Sequence, residues 1–153
     1  MAGTFSQIYI QVVFAVRSRN SLIHSTWEEE LYKYISGICK NKGQKLLAIN
    51  GMPDHIHILI GLKPSSCLSD LVREIKKSSN DFINEKRFTT SKFQWQEGYG
   101  AFSHSHSALD NIISYINNQK EHHQKHTFKE EYISFLKKFE IAFKDEYLFE
   151  WIS

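Results

Sequence analysis

Two histidines separated by one isoleucine are the residues of this sequence whose types and spacing best suggest chemistry. His55 and His57 lie in the apolar run 52–60, which has the composition of a buried β-strand. Side chains on a strand alternate between its two faces, so the isoleucines of this run point one way and both histidines the other. Two neighbouring imidazoles on a rigid sheet can bind one metal ion. The alternative, which is more common for this short pattern, is a pair of solvated or hydrogen-bonded histidines.

A second group of polar side chains follows on a predicted helix that begins near residue 108. A helix turns about 100° per residue, so Tyr115, Gln119, His122 and His126 fall within roughly 60° of arc. An apolar stripe on the adjoining face would anchor this helix. A tyrosine hydroxyl close to a metal ion can attack a phosphodiester and form a covalent intermediate. Taken alone, the same helix face is more typical of a half-buried tyrosine without a chemical role.

The composition indicates a globular protein, which we expect to form one domain over residues 1–153. It is 41% hydrophobic and 24% charged, and the net charge of +2 suits a nucleic-acid partner only if the basic residues cluster. Cys39 and Cys67 form no Cys-x-x-Cys pair, which argues against a zinc site or a disulfide framework. No apolar run is long enough to span a membrane and no secretory signal is evident. We therefore expect no membrane partner and a cytoplasmic location.

The order of predicted elements indicates an α+β fold. Strands are predicted over 7–16, 45–50, 55–61 and 98–103, and helices over 26–43, 65–87, from 108 and after 127. A hairpin between two crossover helices is the ferredoxin-like split βαβ arrangement. It gives a four-stranded antiparallel sheet with helices on one face, followed by C-terminal helices of which one carries Tyr115. His55 and His57 are then expected on the open face of the sheet.

Local signals add three expectations. Capping boxes are predicted at Thr26 with Glu29 and at Thr127 with Glu130. Glycine in the fourth strand, as at Gly100, predicts the close approach of another backbone or a ligand.

Basic residues flank the apolar stripe of the second helix. Arg73, Lys76 and Lys77 are candidates for contacts to nucleic-acid phosphates, and an ordinary solvated helix face is an equally good interpretation.

Several motifs in this order resemble the single-tyrosine transposases of the HUH endonuclease superfamily, in the insertion-sequence-200-like group. They are His55-Ile56-His57, Gly98-Tyr99-Gly100-Ala101-Phe102-Ser103, Tyr115-Ile116-Asn117-Asn118-Gln119 and Glu121-His122-His123. The resemblance implies an RRM-like, ferredoxin-like fold and a metal-dependent enzyme of DNA transposition that cleaves and rejoins single-stranded DNA in a bacterial or archaeal cell. It implies that His55, His57 and Gln119 bind Mg²⁺ or Mn²⁺ and that Tyr115 becomes linked to the 5′ phosphate. It further implies a hairpin-containing substrate at the ends of its own element, and a homodimer in which Tyr115 of one subunit completes the histidine pair of the other.

Some residues leave alternatives open. His104-Ser105-His106 is a second His-x-His, which is either a rival metal site or an ordinary strand end. His122 competes with Gln119 as the third ligand, because the two lie within one helical turn. Alternative functions are a non-catalytic ferredoxin-like nucleic-acid-binding module, a domesticated transposase, and a relative of replication initiators or relaxases.

Overall fold

Four antiparallel strands in the order β2-β3-β1-β4 form the sheet. The computed structural model describes residues 3–152. The strands are β1 (Tyr9–Ala15), β2 (Lys45–Met52), β3 (His55–Gly61) and β4 (Gly100–His104), and the helices are α1 (Glu28–Asn41), α2 (Leu68–Lys86), α3 (Leu109–Asn117), α4 (Gln119–His122) and α5 (Phe128–Lys138). Short 3₁₀ turns lie at Arg19–Ser21, His106–Ala108 and Asp145–Tyr147. Because α1 and α2 connect β1 to β2 and β3 to β4, the predicted ferredoxin-like fold class is confirmed.

One face of the sheet is apolar and packs against the two crossover helices. Ile56, Ile58 and Ile60 on β3 are fully buried, and they pair with Phe14, Val12 and Ile10 of β1. Helices α1 and α2 close this core with buried residues that include Leu31, Ile35, Leu71 and Ile75. Full burial of each such side chain contributes roughly 1.5–3 kcal/mol to folding. The strand alternation therefore placed the isoleucines correctly.

The opposite face carries His55 and His57 and was expected to be open, but α3, α4 and α5 cover it. Ile116 of α3 packs against Leu59 in a second apolar cluster, and the ring of Phe128 on α5 stacks on His55 at 3.8 Å between centroids. Both histidines have no exposed surface. The expectation of an open histidine face is thus wrong, because the C-terminal helices fold back across the sheet.

Glycine in β4 permits the close packing of α5. A Cβ atom on Gly100 would lie 2.7 Å from the Tyr132 hydroxyl oxygen and 2.9 Å from its Cε1. The predicted close approach is present, although the neighbour is a side chain rather than a backbone or a ligand. Gly100 therefore helps α5 to reach the histidine face.

The two predicted capping boxes have different outcomes. In α5, the Thr127 hydroxyl accepts the Glu130 N–H (3.2 Å) and Glu130 Oε1 accepts the Thr127 N–H (3.3 Å), which confirms that box. Helix α1 has Trp27 as its N-cap without a side-chain hydrogen bond, so the box at Thr26 is wrong. The Thr26 N–H instead donates to Nδ1 of His24 at 3.1 Å, which holds Thr26 in the preceding turn.

No helix within residues 3–152 is both long and apolar enough to cross a membrane.

Candidate active site

The two strand histidines are oriented by hydrogen bonds to their Nδ1 atoms. His55 Nδ1 lies 2.7 Å from Oδ1 of Asp54, in the two-residue turn between β2 and β3. His57 Nδ1 accepts a hydrogen bond of 2.9 Å from the side-chain amide of Gln11, on the neighbouring strand β1. Both Nε2 atoms consequently face the space under α4 and α5. A carboxylate at Nδ1, as Asp54 provides for His55, is a usual partner that orients a metal-binding histidine.

The carboxylate of Glu131, on α5, occupies the centre of this space. Its Oε1 lies 2.9 Å from Nε2 of His57, 3.3 Å from Nε2 of His55 and 3.2 Å from Nε2 of His123. The Glu131 side chain is only 2% exposed. One oxygen of a single buried carboxylate therefore faces three imidazoles.

The other oxygen of Glu131 faces the polar side chains of α3 and α4. Oε2 accepts a hydrogen bond of 3.0 Å from the Gln119 amide and another from the Tyr115 hydroxyl. His122 lies at the edge, with its Nε2 3.5 Å from Oε2 and 3.4 Å from the Tyr115 hydroxyl. The structure thus brings all five predicted catalytic, ligand and auxiliary residues around one carboxylate.

A break after α3 positions Gln119. The sequence predicts one continuous helix from residue 108, but α3 ends at Asn117 and α4 begins at Gln119, so that prediction is wrong. Gln119 is fully buried, and its Oε1 lies 3.3 Å from Nε2 of His55 and 3.0 Å from Nε2 of His123. His126, expected on the same helix face, is exposed and lies beside Glu130 instead.

The hydrogen bonds explain the charge states of the histidine–glutamate cluster. Burial alone would lower the pKa of His55, but acceptors at both of its nitrogens outweigh burial and raise that pKa. Burial lowers the pKa of His57, whose Nδ1 must accept from Gln11 and so favours the neutral ring. Burial opposes ionisation of Glu131, yet the surrounding imidazoles hold its pKa well below the usual range. The imidazoles around Glu131 therefore favour its ionised form.

Tyr115 is a neutral phenol in this arrangement. Burial raises its pKa above the ordinary value, and the negative charge of Glu131 raises it further. Its hydroxyl donates to that same carboxylate. A phenol held in this way has a proton acceptor in direct contact, which a tyrosine nucleophile needs.

The chemistry of the donor set fits a divalent metal ion. His55, His57 and Glu131 each offer a ligand atom, all within 4.8 Å of one another, and all three residues are buried. The amide oxygen of Gln119 adjoins them. Two imidazole nitrogens with carboxylate and amide oxygens suit Mn²⁺ and similar ions better than an all-oxygen Mg²⁺ cage. His122 and His123 form a more exposed group with the same Glu131.

The second His-x-His has separate partners. His104 Nε2 donates to the Gln11 side-chain oxygen at 2.9 Å, and His106 Nδ1 lies 3.4 Å from the Tyr9 hydroxyl. Within residues 3–152, neither histidine belongs to a group of three metal-ligating side chains. The structure therefore supports the interpretation of an ordinary strand end, with His104 in contact with the residue that orients His57.

The three basic candidates of α2 lie on the isoleucine face, away from the histidines. Arg73 pairs with Asp70 at 2.9 Å, and Lys77 is exposed. Lys76 donates to the carbonyl oxygens of residues 96 and 98 (2.5 and 2.9 Å), and its ammonium lies 5.5 Å from the ring centroid of Phe14. All three line a surface groove of about 630 Å³ that Arg17 and Tyr99 also line. The structure does not bring them into the site of Tyr115.

Sequence reasoning missed Glu131 and gave His123 no role. Glu131 follows Glu130 in the first turn of α5, where acidic residues are common because they complement the helix dipole. One signal could have identified it, since Phe128 and Phe135 lie three residues before and four residues after it on the same helix face. A carboxylate on an otherwise apolar stripe is a candidate for a buried functional group.

Comparisons with known proteins agree with this fold. A family model described as IS200-like transposase matches residues 4–119. The ISDra2 transposase TnpA of Deinococcus radiodurans is 23% identical over 77 residues, which are 50% of this chain and 55% of that protein. The match thus spans about half the length of that relative.

Two solved structures superpose well on the chain. A crystal structure from Deinococcus radiodurans, described as that of a transposase, has a TM-score of 0.63 and 22% identity, and covers 78% of this chain and 95% of its own. A REP-associated tyrosine transposase bound to a REP hairpin has a TM-score of 0.59 and 19% identity, and covers 80% of this chain and 74% of its own. These likenesses support the fold, and the family match extends over more than half of the residues. The chain belongs to the family of IS200-like transposases.

Proposed function

We propose that this protein is a metal-dependent endonuclease and strand transferase of DNA transposition that acts on single-stranded DNA with Tyr115 as its nucleophile. The observation that carries the proposal is the shared contact at Glu131. The Tyr115 hydroxyl and the Nε2 atoms of His55 and His57 all contact this one carboxylate. A nucleophile and the ligands of a metal ion must be this close if both are to act on one phosphate.

The proposed metal ligands are His55, His57 and Gln119, and His122 is an auxiliary residue. When bound there, Mg²⁺ or Mn²⁺ would polarise the phosphodiester and stabilise its developing negative charge. Asp54 keeps the ring of His55 oriented for this role. The stacked ring of Phe128 excludes water from the other side of that imidazole.

The bond changes at Tyr115 need no external energy source. Its hydroxyl oxygen attacks the phosphorus, the bond to the 3′ oxygen breaks, and a 5′-phosphotyrosine and a free 3′ hydroxyl result. Attack by another 3′ hydroxyl on the phosphotyrosine then rejoins the DNA and releases Tyr115.

The proposed substrate is single-stranded DNA that contains a hairpin, from the ends of the protein's own element. The REP-associated relative was solved with a hairpin, which supports this choice. Arg73 and Lys77 are the proposed phosphate contacts, whereas Lys76 already donates to two carbonyl oxygens. Replacing Arg73 and Lys77 by Gln should weaken DNA binding and reduce its salt dependence. A cytoplasmic location, where such DNA is available, remains a prediction.

The assembly of the site is a separate proposal. The family resemblance predicts a homodimer that exchanges the helices bearing Tyr115. In the single chain, Tyr115 already lies beside the histidine pair of its own sheet, with 6.0 Å between its ring centroid and that of His57. Mixing Tyr115→Phe with His55→Ala subunits distinguishes the two arrangements. Shared sites restore cleavage in the heterodimer, and sites built within one chain do not.

The test of the proposed function is covalent capture of DNA. Single-stranded DNA from the flanks of the gene is incubated with protein and Mn²⁺ or Mg²⁺, with either the 3′ or the 5′ end labelled. We expect a denaturant-resistant adduct that carries the 3′ label, and a released fragment that carries the 5′ label. Tyr115→Phe should bind the DNA but form no adduct. DNA binding by the wild type without any adduct would support the non-catalytic module instead.

A further inference from the structure

We propose that Glu131 is a catalytic residue of this site, with Oε1 as a metal ligand beside His55 and His57 and Oε2 as the acceptor of the Tyr115 proton. This inference rests on the proposed function. The family match ends at residue 119, so it does not include Glu131. The assignment therefore depends on the contacts of α5 in this chain alone.

The surroundings of Oε1 support its role as a ligand. Nε2 of His57 and Nε2 of His55 lie 2.9 and 3.3 Å from Oε1, and the other nitrogen of each ring is hydrogen-bonded to Gln11 or Asp54. A divalent ion that binds both nitrogens must lie within reach of Oε1.

The surroundings of Oε2 support its role as a proton acceptor. The Tyr115 hydroxyl donates to Oε2, and the Gln119 amide donates to the same oxygen at 3.0 Å. The Tyr115 hydroxyl becomes strongly acidic as its oxygen bonds to phosphorus, so its proton passes to Oε2 although the pKa of the Glu131 carboxyl is low. The electron pair of the broken phosphorus–oxygen bond remains on the 3′ oxygen, which takes up that proton from Glu131 through solvent. The step is therefore balanced without another acid or base.

A purely structural role for Glu131 makes the opposite prediction for metal binding. If the carboxylate only neutralises the histidines, it competes with the metal ion for their Nε2 atoms. Removing its charge would then leave the affinity for metal unchanged or raise it. If Glu131 is a ligand, removing its charge lowers the affinity.

The experiment compares Glu131→Gln with Glu121→Gln, a matched control that removes one carboxylate from the exposed surface of α4. Mn²⁺ binding is measured by calorimetry without DNA, after thermal melting has shown that each variant is folded. We expect Glu131→Gln to bind Mn²⁺ at least about tenfold more weakly than the wild type. The Glu121→Gln variant should bind it as tightly as the wild type. Equal or tighter binding by Glu131→Gln overturns the ligand assignment.

Adduct formation at saturating Mn²⁺ tests the proton acceptor separately. We expect Glu131→Gln to form the adduct about 100-fold more slowly than the wild type, a typical loss for a general base. An unchanged rate overturns this assignment. Glu131→Asp keeps the charge with a shorter reach and should bind Mn²⁺ more weakly than the wild type, which provides a second test if the glutamine variant does not fold. The two proposals can fail separately. If the wild type forms no adduct but Glu131→Gln binds Mn²⁺ more weakly than the wild type, the proposed function is contradicted and the ligand assignment is not.

Discussion

The hydrogen bond between His57 and the buried Glu131 carboxylate makes a quantitative prediction for the metal-free protein. His57→Ala removes a hydrogen bond of 2.9 Å to a buried carboxylate and leaves the Gln11 amide without its acceptor. A hydrogen bond to a charged group contributes about 1.5–3 kcal/mol. Leaving the buried Gln11 amide without its acceptor costs about 1–3 kcal/mol more. We therefore expect His57→Ala to lower the free energy of unfolding by about 3–5 kcal/mol.

Urea denaturation in EDTA at pH 7 measures this change. The matched control is His106→Ala, because His106 is exposed and has one long contact, to Tyr9, among the side-chain hydrogen bonds of this structure. The control should change the free energy of unfolding by no more than about 0.5 kcal/mol. Adding Glu131→Gln to His57→Ala removes the buried carboxylate that has lost its hydrogen bond, so the double variant should lose at least about 1 kcal/mol less than the sum of the single variants. A loss below about 1 kcal/mol for His57→Ala would refute the buried cluster.

Two further predictions concern the packing of α5 and the reactivity of the thiols. Gly100→Ala should lower the free energy of unfolding by about 1–3 kcal/mol in urea denaturation, because the added Cβ would overlap the side chain of Tyr132. An unchanged free energy of unfolding would contradict the close approach of Tyr132 to Gly100. A thiol reagent at pH 8 should label Cys67 quickly, because this side chain is exposed. The Ser69 hydroxyl also lowers the pKa of the Cys67 thiol, so the reactive thiolate persists to lower pH than that of a free cysteine. Cys39 should react only after unfolding, since burial raises its pKa to about 11; two equally fast thiols would contradict this.

Periodicity predicted most of the fold because local burial determines it. Alternation along β3 placed the isoleucines in one core and the histidines on the other face, as the structure has them. The burial of that face could not be predicted in the same way. Nothing in the amphipathic pattern of α5 says which part of the sheet it covers.

The candidate site was partly predictable for the same reason. His55, His57, Tyr115 and Gln119 lie in short motifs, whereas Glu131 reaches them only through the tertiary position of α5. The break at Asn118 also lacks a glycine or proline signal, although it determines that Gln119 faces inwards. A helical-wheel analysis assumes one continuous helix, so it cannot predict contacts that depend on such a break or on tertiary packing.

Mapping the covalent attachment of DNA by mass spectrometry tests the central claim most directly. The wild-type protein is trapped on single-stranded DNA with Mn²⁺, digested with nuclease and protease, and searched for a tyrosine that carries a 5′ nucleotide. We predict that the modified residue is Tyr115 and that no adduct forms in EDTA. Attachment at Tyr99, which is 36% exposed, or at the buried Tyr132 would contradict the assigned nucleophile and the site built around it.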